Sequence, residues 1–395
     1  MDGMELLSDA NSLIEAFHRS KKGSDWKSSV QRYELNLLKN TYMLQNAIRA
    51  GTYRQLDFFE FTLRERGKER PIKSMHISDR VVQNSVCENV LIPALKKYLI
   101  YDNCASLKGK GIGLTRKRLE QHLHSYCRKY GTDGYVLLVD FSKFFDNIPH
   151  EKLLASFAEK IRDPAVMNFI GYLISTFSID VSYMTDEEYA RCVEVPFNML
   201  EYRERVPPEA RTGEKWMHKS VGIGSQISQI SGVYYPTPID TWCKVVKSQK
   251  YYARYMDDIY IINPDKAELE SLLQDIKRIA AELGLFVNDR KTQIVKLSHG
   301  FAFLKIKYRL TESGHLIRRL SSDSISRERR RLRKYRRLFD RGEMKYAAIE
   351  QAYKSWRGSA IKYDSKRSVR NLDRLYDELF IQEFRDGTES GKKER

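Results

Sequence analysis

Two adjacent carboxylates, Asp257 and Asp258, lie in the stretch RYMDDIY between strand-forming residues. A third, Asp140, follows the continuous apolar run YVLLV, which is typical of a buried central strand. If these strands are neighbours in one sheet, the three carboxylates converge and each raises the cost of ionising the others. Two divalent cations about 4 Å apart would offset that cost and support in-line phosphoryl transfer. An ordinary hairpin turn is the alternative explanation for the adjacent pair, because aspartate is common in turns.

The composition indicates a polyanionic partner. The 395-residue chain carries a formal net charge of +17, and its 42% hydrophobic residues allow a large core. Nucleic acid is the first candidate, since no apolar run reaches the roughly 20 residues of a membrane-spanning helix. The start of the chain lacks a signal-peptide pattern, and the five cysteines form no CxxC. We therefore expect a cytoplasmic protein with reduced thiols and no membrane partner.

The elements that must position the carboxylates alternate along the chain. Apolar spacing predicts helices within 1–55, 77–130, 150–175, 265–283 and from 321 onward. Strands are expected within 56–75 and on both sides of the carboxylate pair, and a further hairpin is expected within 285–297. Residues 180–218 are polar and irregular, and we expect an insertion or flexible loop there. The alternation predicts an α+β core between more helical flanks.

Six ordered segments resemble the motifs of reverse transcriptases, in the form typical of bacterial and group II intron enzymes. They are GKERPIKSMHISDRVVQNSV (67–86), VDFSKFFDNIPHEKL (139–153), VGIGSQISQ (221–229), YMDD (255–258), GLFVNDRKTQIV (284–295) and GFAFLKIKY (300–308). The resemblance covers roughly residues 60–310. It implies a right-hand polymerase with an N-terminal helical region and fingers in 1–130, a palm in 131–310 and a basic helical thumb in 311–395.

The resemblance also assigns the metal chemistry. Asp140 and Asp257 would be the principal ligands of two Mg²⁺ ions, with Mn²⁺ as a substitute. Asp258 would assist them, and Phe141 belongs to the same metal-binding set. Lys291 would protonate the leaving pyrophosphate, although a lone lysine in this context is more often a surface charge.

A second set of residues would bind the nucleotide and the primer. Phe145 would lie under the incoming sugar and exclude a 2′-hydroxyl, whereas Phe144 beside it is expected in the core. Tyr255 and Met256 would face the primer terminus. The remaining nucleotide-binding residues that the resemblance implies are Lys68, Arg70, Gly222, Ile223, Gly224 and Gln229.

Two departures from the common pattern are visible. Many reverse transcriptases carry glutamine where this chain has Ile223, and the form I-G-x-x-x-S-Q resembles enzymes of diversity-generating retroelements and antiviral defence. We hypothesise that loss of this glutamine loosens base selection. In the stretch YYPTPID, Pro236 and Pro238 should interrupt the helix that follows the second motif.

The C-terminal region is strongly basic, with RERRRLRKYRR at 327–337. A solvated helix face is the simplest explanation of such a run. In the position of a thumb it would hold a template–primer duplex by its phosphates, without base specificity. Binding of a structured partner RNA is the alternative. The residues expected to contact nucleic acid are Arg329, Arg330, Arg331 and Arg333.

These features together predict an RNA-directed DNA polymerase that joins deoxynucleoside triphosphates into DNA on an RNA template. The leading interpretation is a bacterial antiviral-defence enzyme with a cognate noncoding RNA as template. A diversity-generating retroelement enzyme with an accessory protein, template-independent or protein-primed synthesis, and a non-catalytic RNA-binding scaffold are the alternatives. An RNA-making polymerase is disfavoured by Phe145. The primer, the oligomeric state and any accessory protein stay open.

Overall fold

The structure, a computed structural model, describes residues 3–65 and 67–381 and shows an α+β protein. The strands are β1 (Phe59–Glu65), β2 (Lys68–Ser74), β3 (Tyr135–Val139), β4 (Ile179–Asp180), β5 (Trp216–Met217), β6 (Tyr252–Tyr255), β7 (Asp258–Asn263), β8 (Gln293–Lys296), β9 (Phe301–Phe303), β10 (Ile306–Leu310) and β11 (Leu316–Leu320). The helices are α1 (Gly3–Leu7), α2 (Ala10–Ser20), α3 (Ser28–Leu35), α4 (Leu37–Arg49), α5 (Ile77–Val86), α6 (Ile92–Leu95), α7 (Ile112–Tyr130), α8 (His150–Ala158), α9 (Pro164–Ser175), α10 (Asp186–Glu194), α11 (Met199–Arg205), α12 (Gln226–Tyr234), α13 (Thr237–Thr241), α14 (Lys266–Glu282), α15 (Ser322–Asp340), α16 (Tyr346–Ala360) and α17 (Lys366–Phe380).

A four-stranded sheet with the order β6-β7-β3-β8 carries the carboxylates. β3 and β7 occupy its two central positions, and nearly all of their residues are buried. β6 and β7 form an antiparallel hairpin in which Tyr255 pairs with Asp258. Because β7 is hydrogen-bonded to both β6 and β3, the hairpin lies next to the strand that Asp140 follows. The continuous apolar run therefore forms the central strand that the sequence predicts.

The first compact unit runs to Arg118 and continues through Leu137–Ile261 and Lys266–Ile294. Its β1–β2 hairpin is antiparallel, with Phe61 opposite Ile72. All of β1 is exposed, whereas β2 is partly buried. The two strands expected within 56–75 are thus confirmed.

Residues 180–218 form a small folded layer and are not an irregular loop. The strands β4 and β5 pair antiparallel, and Thr185 caps α10 in a reciprocal box with Glu188. Buried apolar side chains, including Phe197 and Tyr202, form a core of their own. The expectation of an irregular loop was wrong because these apolar residues follow neither a helical nor a strand period and are separated by charged and turn-forming residues.

Prolines explain two helix breaks. Asp163 caps α9 through its side chain and Pro164 occupies the first turn, so the helical pattern of 150–175 is divided between α8 and α9. After the second motif, α12 ends at Tyr234 and α13 begins at Thr237, as the two prolines of YYPTPID predict. The chain stays helical beyond this break, through a π-helical turn at 242–246.

The second compact unit comprises Leu119–Val136, Ile262–Asp265 and the described residues from Val295 onward. It contains an antiparallel sheet with the order β11-β10-β9 and the three helices α15, α16 and α17. Tyr353 and Tyr376 stack at the centre of the helical core, with ring centroids 4.5 Å apart. Residues 382–395, the end of the predicted thumb, lie outside the described residues.

Two further sequence expectations concern thiols and membranes. All five cysteines lie within the described part of the chain and are free thiols. No helix among the described residues is both long and apolar enough to cross a membrane.

Candidate active site

Three carboxylates meet at the end of the central strands. Asp140 follows β3, Asp257 lies in the turn of the β6–β7 hairpin and Asp258 begins β7. All three are half-buried. Burial raises the pKa of Asp257, and the charge of Asp140 adds to this effect. The pKa of Asp258 is raised to about 7, mainly by burial and further by the negative charges of Asp257 and Asp140. The carboxylates therefore oppose one another's ionisation, a conflict that a bound cation relieves.

Asp140 is held by the segment that follows α14. Its Oδ2 accepts hydrogen bonds from Lys291 Nζ at 2.7 Å and from Asn288 Nδ2 at 3.1 Å. The Asn288 backbone N–H also donates to the Asp140 carbonyl at 2.8 Å. The structure thus places the predicted proton donor, Lys291, directly on a carboxylate. Sequence reasoning missed Asn288, although it lies inside a segment that resembles a known motif.

Two cations from β2 act on the same carboxylates. Arg70 opposes the rise in the pKa of Asp257, and Lys68 opposes that of Asp258, each as a smaller effect than burial. Both side chains are therefore close enough to the carboxylates to stabilise negative charge there. A triphosphate brings that kind of charge, so the β1–β2 hairpin carries the counter-charges that the sequence predicts.

The two phenylalanines after Asp140 differ in their surroundings. Phe144 is buried, as expected for a core residue, whereas Phe145 is half-buried. Their ring centroids are 5.2 Å apart, and Phe145 packs with Met256 and Val233. A Cβ added at Gly232 would come within 3.0 Å of the Phe145 ring. Sequence reasoning missed Gly232, which leaves room for the proposed sugar-selecting ring.

The turn before α12 is packed against β2. Gly222 and Gly224 have φ angles of +66° and +126°, and a Cβ at Gly224 would lie 2.9 Å from the Lys73 carbonyl oxygen. The Lys73 N–H donates to the Ile223 carbonyl at 3.1 Å. These glycines therefore have a packing role within the protein that the resemblance did not indicate. Gln229, which the resemblance also assigns to the nucleotide, is exposed on α12.

The hairpin tip contains Tyr255 and Met256, the expected primer contacts. Tyr255 is half-buried and Met256 is buried. Met256 adopts a φ of +55°, in the left-handed region that non-glycine residues rarely occupy. The ring of Phe141 is also buried, so only its backbone can face a metal ion.

The four arginines predicted to bind nucleic acid separate into two groups on α15, in the second unit. Arg329, Arg330 and Arg333 are exposed. Arg331 is half-buried and donates to the buried Glu328 at 2.7 Å. Three of the four are therefore free to contact phosphates, while Arg331 takes part in packing.

No group of three or more His, Cys, Asp or Glu side chains within residues 3–65 and 67–381 is arranged to hold a metal ion. The donor set of Asp140, Asp257 and Asp258 nevertheless fits a hard cation. It consists of carboxylate oxygens, the ligands that Mg²⁺ and Mn²⁺ prefer. Each negative charge makes ionisation of the neighbouring carboxyl groups less favourable, and a bound cation would offset this repulsion.

A comparison with protein families decides the affiliation. Residues 62–308, more than half of the chain, match the sequence model of the family described as "Reverse transcriptase (RNA-dependent DNA polymerase)". The chain belongs to the reverse transcriptase family. Membership confirms the predicted family and, with the mixed helices and sheets, the α+β right-hand polymerase class. Assignment to a bacterial subtype stays a prediction.

Among solved structures, two telomerases are similar at 13% identity. Apo telomerase from Candida tropicalis, truncated from its C-terminal domain, gives a TM-score of 0.45 and covers 67% of this chain and 56% of its own. Telomerase from Candida albicans in complex with a TWJ fragment of telomeric RNA gives a TM-score of 0.43. This match covers 71% of the present chain and 49% of the telomerase chain. The chain thus spans about half the length of these structures, and TM-scores this low carry no argument about it. No curated protein sequence matches significantly.

Proposed function

We propose that the chain is an RNA-directed DNA polymerase that joins deoxynucleotides by two-metal phosphoryl transfer. The observation that carries the proposal is the meeting of Asp140, Asp257 and Asp258 opposite the cations of β2, within the segment that matches the family. RNA is the proposed template, DNA the product and deoxynucleoside triphosphates the substrates.

The side chains have distinct roles in this proposal. Asp140 and Asp257, with Asp258 and the backbone of Phe141, would hold Mg²⁺. Bound divalent ions supply positive charge to the attacking and leaving oxygens. Lys68 and Arg70, the nucleotide-binding cations, orient the triphosphate and neutralise its charge. Lys291 carries an ammonium proton beside the site, from which a leaving pyrophosphate can be protonated.

The substrate preference rests on Phe145. Its half-buried ring packs on the hairpin tip next to the carboxylates. A ring in that position clashes with a 2′-hydroxyl and so favours deoxynucleotides over ribonucleotides. Tyr255 and Met256 are the proposed primer contacts, and the exposed arginines of α15 the proposed duplex contacts.

We further propose that the enzyme serves bacterial antiviral defence with a cognate noncoding RNA as template. The support is the second motif, where Ile223 stands in a form that resembles such enzymes. The same resemblance keeps a diversity-generating retroelement enzyme as the alternative, which requires an accessory protein. The proposed domains are fingers in 1–130, palm in 131–310 and thumb in 311–395.

Sequencing of co-purifying nucleic acid tests the function. Wild-type protein and an Asp257→Ala, Asp258→Ala variant are expressed together with the native flanking locus. DNA present only with the wild type, and complementary to a bound RNA, is the expected result and identifies the template. DNA without an RNA complement would indicate untemplated or protein-primed synthesis. Equal DNA in both samples would contradict the assignment of the two carboxylates.

A further inference from the structure

Arg254, in strand β6 of the hairpin that carries Asp257, is completely buried. Its partner Asp240, in α13, is also completely buried. The pair is bidentate: Arg254 Nε donates to Asp240 Oδ1 at 2.7 Å, and Nη2 donates to Oδ2 at 2.6 Å. This fork geometry is specific to arginine, since a lysine offers a single point charge.

The rest of the guanidinium binds backbone carbonyls. Nη2 donates to the Val233 carbonyl at 2.8 Å, and Nη1 donates to those of Gly232 at 3.3 Å and Met256 at 3.1 Å. All five N–H donors of Arg254 are therefore used. The side chain joins three segments: the tip of the β6–β7 hairpin, the end of α12, and α13.

The helix break in YYPTPID has a consequence for this pair. α12 ends just before Pro236, which frees the carbonyl groups of its last turn from intrahelical bonds. α13 then restarts and carries Asp240 to the same point. Asp240 is fixed there by Tyr252, whose hydroxyl donates to Oδ1 at 2.5 Å. The helix break thus leaves backbone carbonyls that accept from Arg254, and α13 places the Asp240 carboxylate on the same guanidinium.

The energetics of buried ion pairs favour a role beyond stability. Removing two charges from water costs much of what their attraction returns, and apolar replacements of similar volume are often neutral. Here the guanidinium donates a hydrogen bond to the carbonyl of Met256, a non-glycine residue at φ +55° that immediately precedes Asp257. The guanidinium also donates to the carbonyl of Gly232, a residue that faces the Phe145 ring.

We propose that the Arg254–Asp240 pair is a positioning pair for the catalytic hairpin, an inference that rests on the proposed polymerase function. By holding Met256, Arg254 fixes the direction of the Asp257 carboxylate relative to Asp140. By binding the Gly232 carbonyl at the same time, Arg254 fixes the position of the proposed sugar-selecting ring of Phe145 relative to the carboxylates. Arg254 acts through these backbone groups and touches neither substrate nor metal.

The test uses the full chain and three variants. Arg254→Lys keeps the charge and removes the fork. The double variant Asp240→Leu, Arg254→Met replaces the pair by apolar side chains of similar size. The matched control is Arg357→Lys, which alters another bidentate pair, with Asp373 at 2.7 and 3.2 Å, on α16 of the second unit.

We expect Arg254→Lys and the double variant to lower kcat about 100-fold, since small displacements of catalytic groups cost that much. The nucleotide KM should change less than about threefold, the signature of an interaction needed in the transition state. Hydrogen exchange of the peptide spanning 255–259 should be faster in both. The Arg357→Lys control should match the wild type in each measurement.

A double variant with wild-type melting temperature, kcat and hairpin protection would overturn the proposal. So would a loss of kcat in Arg254→Lys that only follows the fraction of unfolded protein. If the wild type makes no DNA, the proposed function fails. The hydrogen-exchange comparison then still decides whether Arg254 orders the hairpin.

Discussion

The half-buried Phe145 ring packs against the cluster that contains Val233 and Met256 and faces Gly232 of α12. Phe145→Ala removes the ring that is proposed to exclude a ribose hydroxyl. We expect Phe145→Ala to lower the preference for deoxynucleotides over ribonucleotides by about 10-fold or more, in the range for steric discrimination by a pocket. The ratio of kcat/KM values for the two nucleotides measures this effect.

The neighbouring Phe144 provides the control. It is buried in the core, so Phe144→Leu should reduce stability and leave the nucleotide ratio unchanged. An unchanged ratio in Phe145→Ala would show that another residue excludes the ribose.

His150 makes the free energy of unfolding depend on pH. Burial lowers its pKa to about 4, and its Nε2 donates to the Ser220 carbonyl at 2.5 Å. The unfolded histidine titrates near 6.5, so between pH 6.5 and pH 4 only the unfolded chain takes up the proton. This group should therefore cost about 2 kcal/mol of stability between pH 7 and pH 5.

Urea unfolding of the wild type and His150→Gln at both pH values measures the contribution. Glutamine can keep a donor near Ser220 and does not titrate, so the variant should lose less stability on acidification. The comparison between variants is needed because burial raises the pKa of Asp146 to about 6, which acts in the opposite direction. An equal loss in both proteins would contradict the assignment to His150.

Helix α15 carries arginines in two different surroundings: Arg329, Arg330 and Arg333 are exposed, whereas Arg331 binds the buried Glu328. Replacing Arg329, Arg330 and Arg333 together by glutamine should weaken binding of an RNA–DNA hybrid. The slope of log affinity against log salt should fall by roughly 2 to 3, since each phosphate contact contributes about 0.7 to 0.9. Filter binding across a salt series gives the slope.

Arg331→Gln serves as the contrast on the same helix. It loses its bond to the buried Glu328 and should lower the melting temperature with little change in the salt slope. Equal changes of the salt slope in both variants would contradict the prediction that only the exposed arginines of α15 contact phosphates.

The β1–β2 hairpin is tied to the insertion by Glu60. Its carboxylate lies 2.9 Å from Arg203, 3.8 Å from Lys73 and 4.0 Å from Arg211. Lys73 is so enclosed that burial lowers its pKa to about 8. Glu60→Gln removes the carboxylate nearest to these cations, and we expect a loss of about 1–3 kcal/mol in unfolding free energy.

Chemical denaturation and limited proteolysis of the hairpin measure that loss. Glu69→Gln, on the same hairpin, removes a pair with the largely exposed Arg64 and should have little effect. Equal effects of the two substitutions would show that the insertion does not hold the hairpin.

Some elements could be predicted and others could not, for physical reasons. β3 and the β6–β7 hairpin follow from continuous apolar strands, and the convergence of Asp140 with Asp257 follows from placing them in one sheet. The layer within 180–218 is stabilised by apolar residues far apart in sequence, which local periodicity does not register. The partners of Arg254 could not be predicted either, because the sequence around an arginine in a strand does not indicate that its side chain is buried.

For the whole molecule, the formal charge of +17 should dominate encounters with nucleic acid. We expect hybrids of unrelated sequence to bind the wild type with affinities within about threefold of one another at matched salt, because phosphate contacts carry no sequence information. Fluorescence anisotropy with two hybrids of equal length measures this. A large preference for one sequence would indicate base readout beyond the arginines of α15.

The link between Glu60 and the insertion also constrains biosynthesis. On the ribosome, Glu60 emerges 203 − 60 = 143 residues before Arg203. At about 5–20 residues per second, Arg203 emerges roughly 7–29 s after Glu60 of the β1–β2 hairpin. During that interval the exposed aromatic strand β1 lacks the ion pairs of Glu60 with the insertion, and a nascent chain halted before residue 203 should be cleaved at the hairpin by protease. Once the insertion has emerged and folded, the same hairpin becomes resistant.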